Sequence, residues 1–306
     1  MTLLAANPLV GLAHMAEHPF LRYAFLAGTA IALASGLVGY FVVLRGQVFT
    51  GDALSHVAFT GALAALAAGA NLLLGLYGSC VAVALAMAAL GSRGRADDTV
   101  IGSVFAWVLG LGALFLTVYT TSSGGTNATS GVNVLFGSIF GLSSSQAITD
   151  AVISLGVAVT LAGIGRPLLF ASIDQAVAGA RGIPVRGLGF VFLALVGTTA
   201  AAATQAVGAL LLLGLLAAPA GTAQRLTARP FRAMWLSAGI AVASVWVGLS
   251  IAYAAPSVPP SFGILAVATG CYLVAFLATA ARHRLRPASG ARPCVLPLTE
   301  PAAGTT

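Results

Sequence analysis

The 306-residue sequence contains no lysine, so all fourteen of its basic residues are arginine. That absence excludes a Walker A phosphate loop, a Schiff-base lysine and a catalytic lysine, and any ATP the protein uses must be hydrolysed by another chain. Charge of either sign is scarce. Asp, Glu, Lys and Arg make up 7% of the residues, against about 25% in ordinary soluble domains, and the mean hydropathy is +1.00. A water-soluble globular protein is thereby excluded. Cysteine is nearly absent: Cys80, Cys271 and Cys294 are odd in number and far apart, which supports neither a disulfide framework nor a cysteine-based zinc site. The first 20 residues lack both a basic n-region and a long apolar h-region, so a cleavable signal peptide is not expected, and the first span is expected to act as the targeting signal.

What is present is apolar surface: 59% of residues are hydrophobic, spread along the whole chain. The fold class this predicts is an all-α polytopic membrane protein. Spanning the hydrocarbon takes about 20 apolar residues, and runs of that length fall at 21–44, 52–70, 72–91, 99–120, 146–165, 187–204, 206–224, 233–254 and 261–281. Eight or nine transmembrane helices follow, because 187–224 reads either as one stretch or as two with a break near Gln205 and Gly208. The net charge of +7 does not form the stripe that nucleic acid would need; the arginines recur between apolar runs and read as topology markers. Nine spans place Arg45, Arg93, Arg95, Arg166, Arg181, Arg186, Arg225, Arg229, Arg232, Arg282, Arg284 and Arg286 on one face, which is therefore the cytoplasmic one. Residues 1–20 are then an extracytoplasmic lead-in, 21–281 the transmembrane domain and 282–306 a disordered cytoplasmic tail. Residues 131–142 are too short to cross and read as a re-entrant or surface helix on the outer side. The cytoplasmic stretch 166–187 carries a short small-residue helix, started by Ser172 or Asp174 and stopped by Gly182, which offers a snug surface to a partner.

Few residues can carry chemistry. Asp52 stands at the start of a span, while Glu17, Asp97, Asp98, Asp150, Asp174 and Glu300 can all be placed in loops or at helix ends. His56 follows Asp52 by four residues, so both side chains share one helix face, within reach of one cation. A hard carboxylate oxygen with an imidazole nitrogen suits zinc, manganese or iron(II) without selecting among them. On spacing alone, a helix cap at Asp52 and a backbone hydrogen bond from His56 explain the pair equally well. His14, Glu17 and His18 match the H-x-x-E-H metalloprotease pattern, but Pro19 ends any helix there and no third ligand follows. Gly141 to Ser145 resembles a serine-hydrolase elbow only until its last position, where glycine is missing. Asp97 and Asp98 sit where a helix N-terminus attracts carboxylates. Gln205 and Pro219 disturb spanning helices, as the broken helices of transport pathways do.

An ordered set of strings resembles a known family. Val42-Val43-Leu44-Arg45, Gly51-Asp52-Ala53-Leu54-Ser55-His56 and Asp98-Thr99-Val100-Ile101-Gly102 are similar to the permease subunit of zinc and manganese ABC importers, the ABC-3 family. Leu135 to Ile139 with Gly141, Ile173-Asp174 through Gly182, Gln205 to Gly208 with Leu210-Leu211, and Pro219-Ala220 with Ala223 agree, so the resemblance covers about residues 20–281. It implies a homodimeric core in the plasma (inner) membrane and a cytoplasmic ABC ATPase dimer that binds the ATP. It also implies an extracytoplasmic metal-binding protein that delivers the ion. In that family the matching aspartate and histidine belong to the metal pathway, here Asp52 and His56. The short helix would be the coupling helix, with Ser172, Asp174, Gln175, Ala178, Gly179 and Gly182 as its contacts with the ATPase. The chain would hold no cofactor or catalytic site of its own; zinc or manganese would be its cargo. It departs from the family at Gly46, where a second basic residue is common, and in its Gly/Ser/Thr-rich loop at 121–130. Two other readings remain open: a permease for cobalamin- or siderophore-type chelates, which predicts no metal-ligand pair, and a proton-coupled divalent-cation carrier with Asp52 as proton site, which leaves the short helix unexplained.

Overall fold

The computed structural model describes residues 19–91, 96–122, 137, 139–209, 212–255 and 257–285. Among the described residues, ten α-helices follow one another: α1 Pro19–Leu44, α2 Val48–Ala67, α3 Leu72–Leu90, α4 Asp98–Ser122, α5 Ser144–Ile173, α6 Gln175–Ala180, α7 Val185–Val207, α8 Leu212–Leu226, α9 Pro230–Ala254 and α10 Pro260–Leu285. A helix forms at each of the nine apolar segments. Seven of them, α1, α3, α4, α5, α7, α9 and α10, are long and apolar enough to cross a membrane. The other two depart from the expectation of eight or nine for physical reasons. Asp52 and His56 lower the apolarity of α2, and α8 has only 15 residues with Pro219 inside. Both are enclosed by their neighbours. Most of α2 is buried, so it meets less lipid and need not be uniformly apolar.

α1 and α7 form the centre of the bundle, whereas α4 and α10 lie at its edge, where most of their residues face outward. α1 packs on α5, α9, α8 and α7; α2 packs on α3, α4 and α7. Such helices need small residues where their backbones meet, because lipid supplies little hydrophobic drive for association. A Cβ at Gly36 would lie 2.5 Å from the backbone of Ala238, and the Ser237 hydroxyl donates to the Gly36 carbonyl at 2.7 Å across the same seam. Gly39 lies against the carbonyl of Leu216, and Gly61 of α2 faces Gly75 of α3 in the same way.

Two turns decide how the site is carried. Gly46 takes φ +68°, so its N–H reaches the Val43 carbonyl while that of Gln47 reaches Val42. This Schellman cap ends α1 and lets α2 begin at once. Gly182, φ +79°, ends α6 with the same pair of bonds, to Gly179 and from Ile183 to Ala178.

Within the stretch 166–187, α5 runs unbroken through Arg166 and Pro167 to Ile173, past the expected end of its span at 165. Proline lacks the N–H that would bond the Gly163 carbonyl, yet the apolar run Leu168-Leu169-Phe170-Ala171 resumes packing immediately. α5 starts on a capping box between Ser143 and Gln146. Between α7 and α8 the chain breaks at Gly208. Of the segment 131–142, residues 137 and 139–142 are described, and Ile139–Gly141 among them forms a 3-10 turn. The lead-in with His14, Glu17 and His18, the outer loop after Ser122, and the tail beyond Leu285 lie outside the described residues.

Candidate functional site

α2 brings Asp52 and His56 one turn apart on one face, both half-buried, while Ala53, Leu54, Ser55 and Val57 between and around them are buried. The His56 imidazole meets the Phe105 ring edge-on, 5.2 Å between centroids. Phe105 lies seven residues beyond Asp98, about 10 Å along α4 at 1.5 Å per residue, so the pair sits inside the bundle nearer its arginine-bearing end. No side-chain hydrogen bond engages the Asp52 carboxylate or the imidazole among the described residues, although the Ser55 hydroxyl donates to the Asp52 backbone carbonyl at 2.7 Å. Asp52 is not a helix cap, since α2 starts at Val48 behind Gln47. That removes the simplest structural explanation of the pair. Their i, i+4 spacing on one helix face leaves both side chains within reach of a single cation. No group of three or more His, Cys, Asp or Glu forms among the described residues, so the pair alone offers two ligands where a closed zinc site has four.

Toward the opposite end, the next turns of the same helix carry Phe59 and Leu63. They join Tyr119 of α4 and Ala209 in a separate apolar cluster, flanked by Phe115 and Leu116. An apolar plug of this kind resists passage of a hydrated ion.

At the arginine-bearing end, α6 stands out from the bundle. The Asp174 carboxylate accepts hydrogen bonds from the N–H groups of Ala176 at 2.9 Å and Val177 at 3.0 Å, so Asp174, rather than Ser172, starts the helix. Ala178 is fully buried against the bundle. Gly179 and Gly182 are exposed, Gln175 is half-buried, and Ile173 and Val177 are 69% and 43% exposed. An open groove of about 490 Å³ runs along Gln175, Ala176, Gly179, Ile183, Val185 and Arg186. Ser172 points the other way: its hydroxyl donates to the Leu168 carbonyl at 2.6 Å and accepts from Arg45 Nε at 2.9 Å.

Two buried polar contacts escaped the reading of the sequence. Asp150 is at neither a loop nor a helix end; it lies inside α5 with 0% exposure, and Tyr77 of α3 donates to its Oδ1 at 2.6 Å. Arg45, 6% exposed, stacks on Phe192 with its guanidinium carbon 4.6 Å from the ring centroid. An aspartate within an apolar run is a signal available in sequence; its partner 73 positions away is not. Gln205 lies in the last turn of α7, its amide buried without a hydrogen-bond partner among the described residues. Asp98 stands in the first turn of α4, as expected.

Comparisons with known proteins bear on the family and the fold. The "Manganese transport system membrane protein MntC" of Listeria innocua is 28% identical over 85% of this chain and 91% of its own length. The protein of the same name from Halalkalibacterium halodurans is 30% identical over 85% of this chain and 87% of its own length. Among solved structures, "PsaBC from Streptococcus pneumoniae in complex with Fab" superposes with a TM-score of 0.76 at 23% identity, covering 88% of this chain and 95% of that one, and so shares the fold. The sequence model described as "ABC 3 transport family" matches residues 17–279. A multi-pass integral membrane protein with seven helices able to span, a match over most of its length and this fold, the chain belongs to the ABC 3 transport family.

Proposed function

We propose that this chain is the membrane-spanning permease subunit of an ATP-binding cassette importer for a divalent transition metal. Residues 21–281 form the permease domain, and the arginine-bearing end faces the cytoplasm. The observation that carries the reading is Asp52 and His56 one turn apart on α2, half-buried and without competing side-chain hydrogen bonds among the described residues, within a transport family. Manganese is the first candidate cargo, because the relatives carry that name; zinc and iron suit the same donors. A chelate permease has no use for such a pair, and a self-contained carrier has no use for an exposed α6.

The Asp52 carboxylate and a neutral His56 imidazole hold the ion transiently. Water or a second copy of the chain in a homodimeric core completes the shell. An incomplete shell favours release, which a closed four-ligand site would prevent. The cluster of Phe59, Leu63 and Tyr119 bars return toward the outer face, where an extracytoplasmic metal-binding protein delivers the ion. Because the chain has no lysine, ATP is bound by a separate cytoplasmic ATPase dimer. That dimer receives α6, with Asp174, Gln175, Gly179 and Gly182 at or beside the contact and Ala178 anchoring the helix below. Closure of the ATPase shifts α6 and tilts α5 and α7, switching access between the faces.

The test is total cellular manganese, zinc and iron in metal-limited cells lacking this gene, complemented with the natural protein, Asp52→Ala or His56→Ala at matched membrane expression. Restoration of one metal by the natural protein alone supports the reading and identifies the cargo. If both variants restore it equally, Asp52 and His56 are structural and the pathway lies elsewhere.

A further inference from the structure

The helices on either side of α6 converge on one side chain that belongs to neither. Ser172, in the last turn of α5 before α6, accepts a hydrogen bond from Arg45 Nε at 2.9 Å. Phe192, on α7 after α6 and fully buried, lies under the Arg45 guanidinium at 4.6 Å and meets Phe41, one turn before Arg45 on α1, edge-on at 6.3 Å. Arg45 is itself the last residue before the Gly46 turn. Val48 begins α2 three residues later, and Asp52 lies one turn into it.

We infer that Arg45 is the positioning residue that transmits displacement of α6 to the metal-holding face of α2. It acts through Ser172 and Phe192 and touches no cargo. The arrangement suits the task because its parts are stiff where they must be. A guanidinium is planar, with donors in a fixed fork, and stacking on an aromatic face fixes its plane. At 6% exposure water competes little for these contacts. The Schellman turn at Gly46 has two backbone bonds, and only two residues, Gly46 and Gln47, lie between Arg45 and α2, so a shift of Arg45 cannot be absorbed in slack chain. By contrast, the link between α6 and α7 contains Gly182 and Pro184 and reaches α2 only by packing farther along α7.

This inference rests on the reading of α6 as the ATPase contact and of Asp52 and His56 as the metal station. The experiment reconstitutes the full complex, with its ATPase and metal-binding protein, in proteoliposomes and measures manganese uptake and ATP hydrolysis on the same preparation. The readout is metal moved per ATP hydrolysed. A change that merely destabilises the protein lowers the amount of active complex and scales both rates together, so the ratio separates coupling from folding. Arg45→Gln is expected to lower the ratio at least tenfold. Arg45→Lys, which keeps the charge but loses the stacking plane and Nε, lowers it by several-fold. Ser172→Ala and Phe192→Leu, which keep the arginine and act should Arg45→Gln fail to assemble, each lower it two- to fivefold.

An unchanged ratio in Ser172→Ala and Phe192→Leu together would overturn the inference. So would uptake and hydrolysis falling in parallel in every variant. Gly179→Trp, placed on the outer surface of α6, tests the underlying reading separately. If this chain still copurifies with its ATPase and hydrolysis is unaltered, α6 is not the contact, and that reading fails whatever Arg45 does.

Discussion

Among the described residues, two aspartates lie beyond the first turn of a helix, and their surroundings are opposite. Asp52 on α2 is half-buried beside a histidine, with no hydrogen bond to its carboxylate among the described residues. Asp150 on α5 is fully enclosed and accepts a 2.6 Å hydrogen bond from Tyr77. A carboxylate in an apolar interior is costly, so its partner indicates its role. Asp150 has its Oδ1 occupied by a phenol that bridges α3 to α5, an arrangement that fixes helices. Asp52 has a histidine one turn away on the same face and no hydrogen bond to its carboxylate among the described residues, which leaves its oxygens available to a cation. The same residue type is thus tied to a neighbouring helix in one case and, in the proposed reading, serves as a metal station in the other.

The largest expected effect falls on the station. Asp52→Ala should reduce metal uptake to the level of cells lacking the protein while leaving thermal stability in detergent within about a degree, since no side-chain bond is lost. Uptake assays paired with melting curves on the purified protein decide it. A large drop in melting temperature with residual uptake would make Asp52 a second strut and erase the contrast.

Asp150→Leu should behave in the converse way. It leaves the Tyr77 hydroxyl without a partner in an apolar interior, which costs about 1–3 kcal/mol, so melting falls by several degrees and uptake falls only in proportion to folded protein. The double variant Tyr77→Phe/Asp150→Leu removes both partners and should recover most of that loss. A mutant cycle on melting free energies measures the coupling. Failure of the double variant to recover stability, or loss of uptake at undiminished folding, would place Asp150 in the transport pathway.

A smaller effect is expected at Phe105, which meets the His56 ring edge-on. An aromatic pair of this geometry is worth about 0.5–1.5 kcal/mol, which as a binding effect is about two- to tenfold. Phe105→Leu should therefore raise the metal concentration giving half-maximal uptake by that factor and leave the maximal rate nearly unchanged. A fall in maximal rate alone would assign Phe105 to the moving parts instead.

How much of this was legible in the sequence follows from the range of each interaction. Asp52 and His56 could be read because both lie within one turn of one helix, and the nine helical positions could be read because hydropathy is a local property. The span count could not, because α2 and α8 are sheltered by neighbours that hydropathy does not see. Asp150, six residues into α5, reads equally as a loop or helix-end residue in sequence; its depth is visible only with Tyr77 beside it. The end of α5 was placed at Arg166-Pro167, a conventional stop, although packing of Leu168 and Ala171 carries the helix on to Ile173. Arg45 looked like a topology marker because Phe192 and Ser172, its partners, lie more than a hundred positions away.

The smallest expected effect is at Ser55, and it is the most selective test of what Asp52 contributes. Ser55 is fully buried and its hydroxyl donates to the backbone carbonyl of Asp52. That carbonyl is already within hydrogen-bond reach of the helix ladder, and a serine bonding back along a helix slightly weakens it, whereas alanine favours the helix. The two contributions nearly cancel, so Ser55→Ala should change stability by less than about 0.5 kcal/mol and leave uptake unaltered. If uptake fell as far as in Asp52→Ala, the feature that matters at this position would be the backbone carbonyl, or the tilt the serine imposes on this turn, and not the carboxylate. An unaltered rate beside a dead Asp52→Ala assigns the effect to the side chain, three residues away on the same helix.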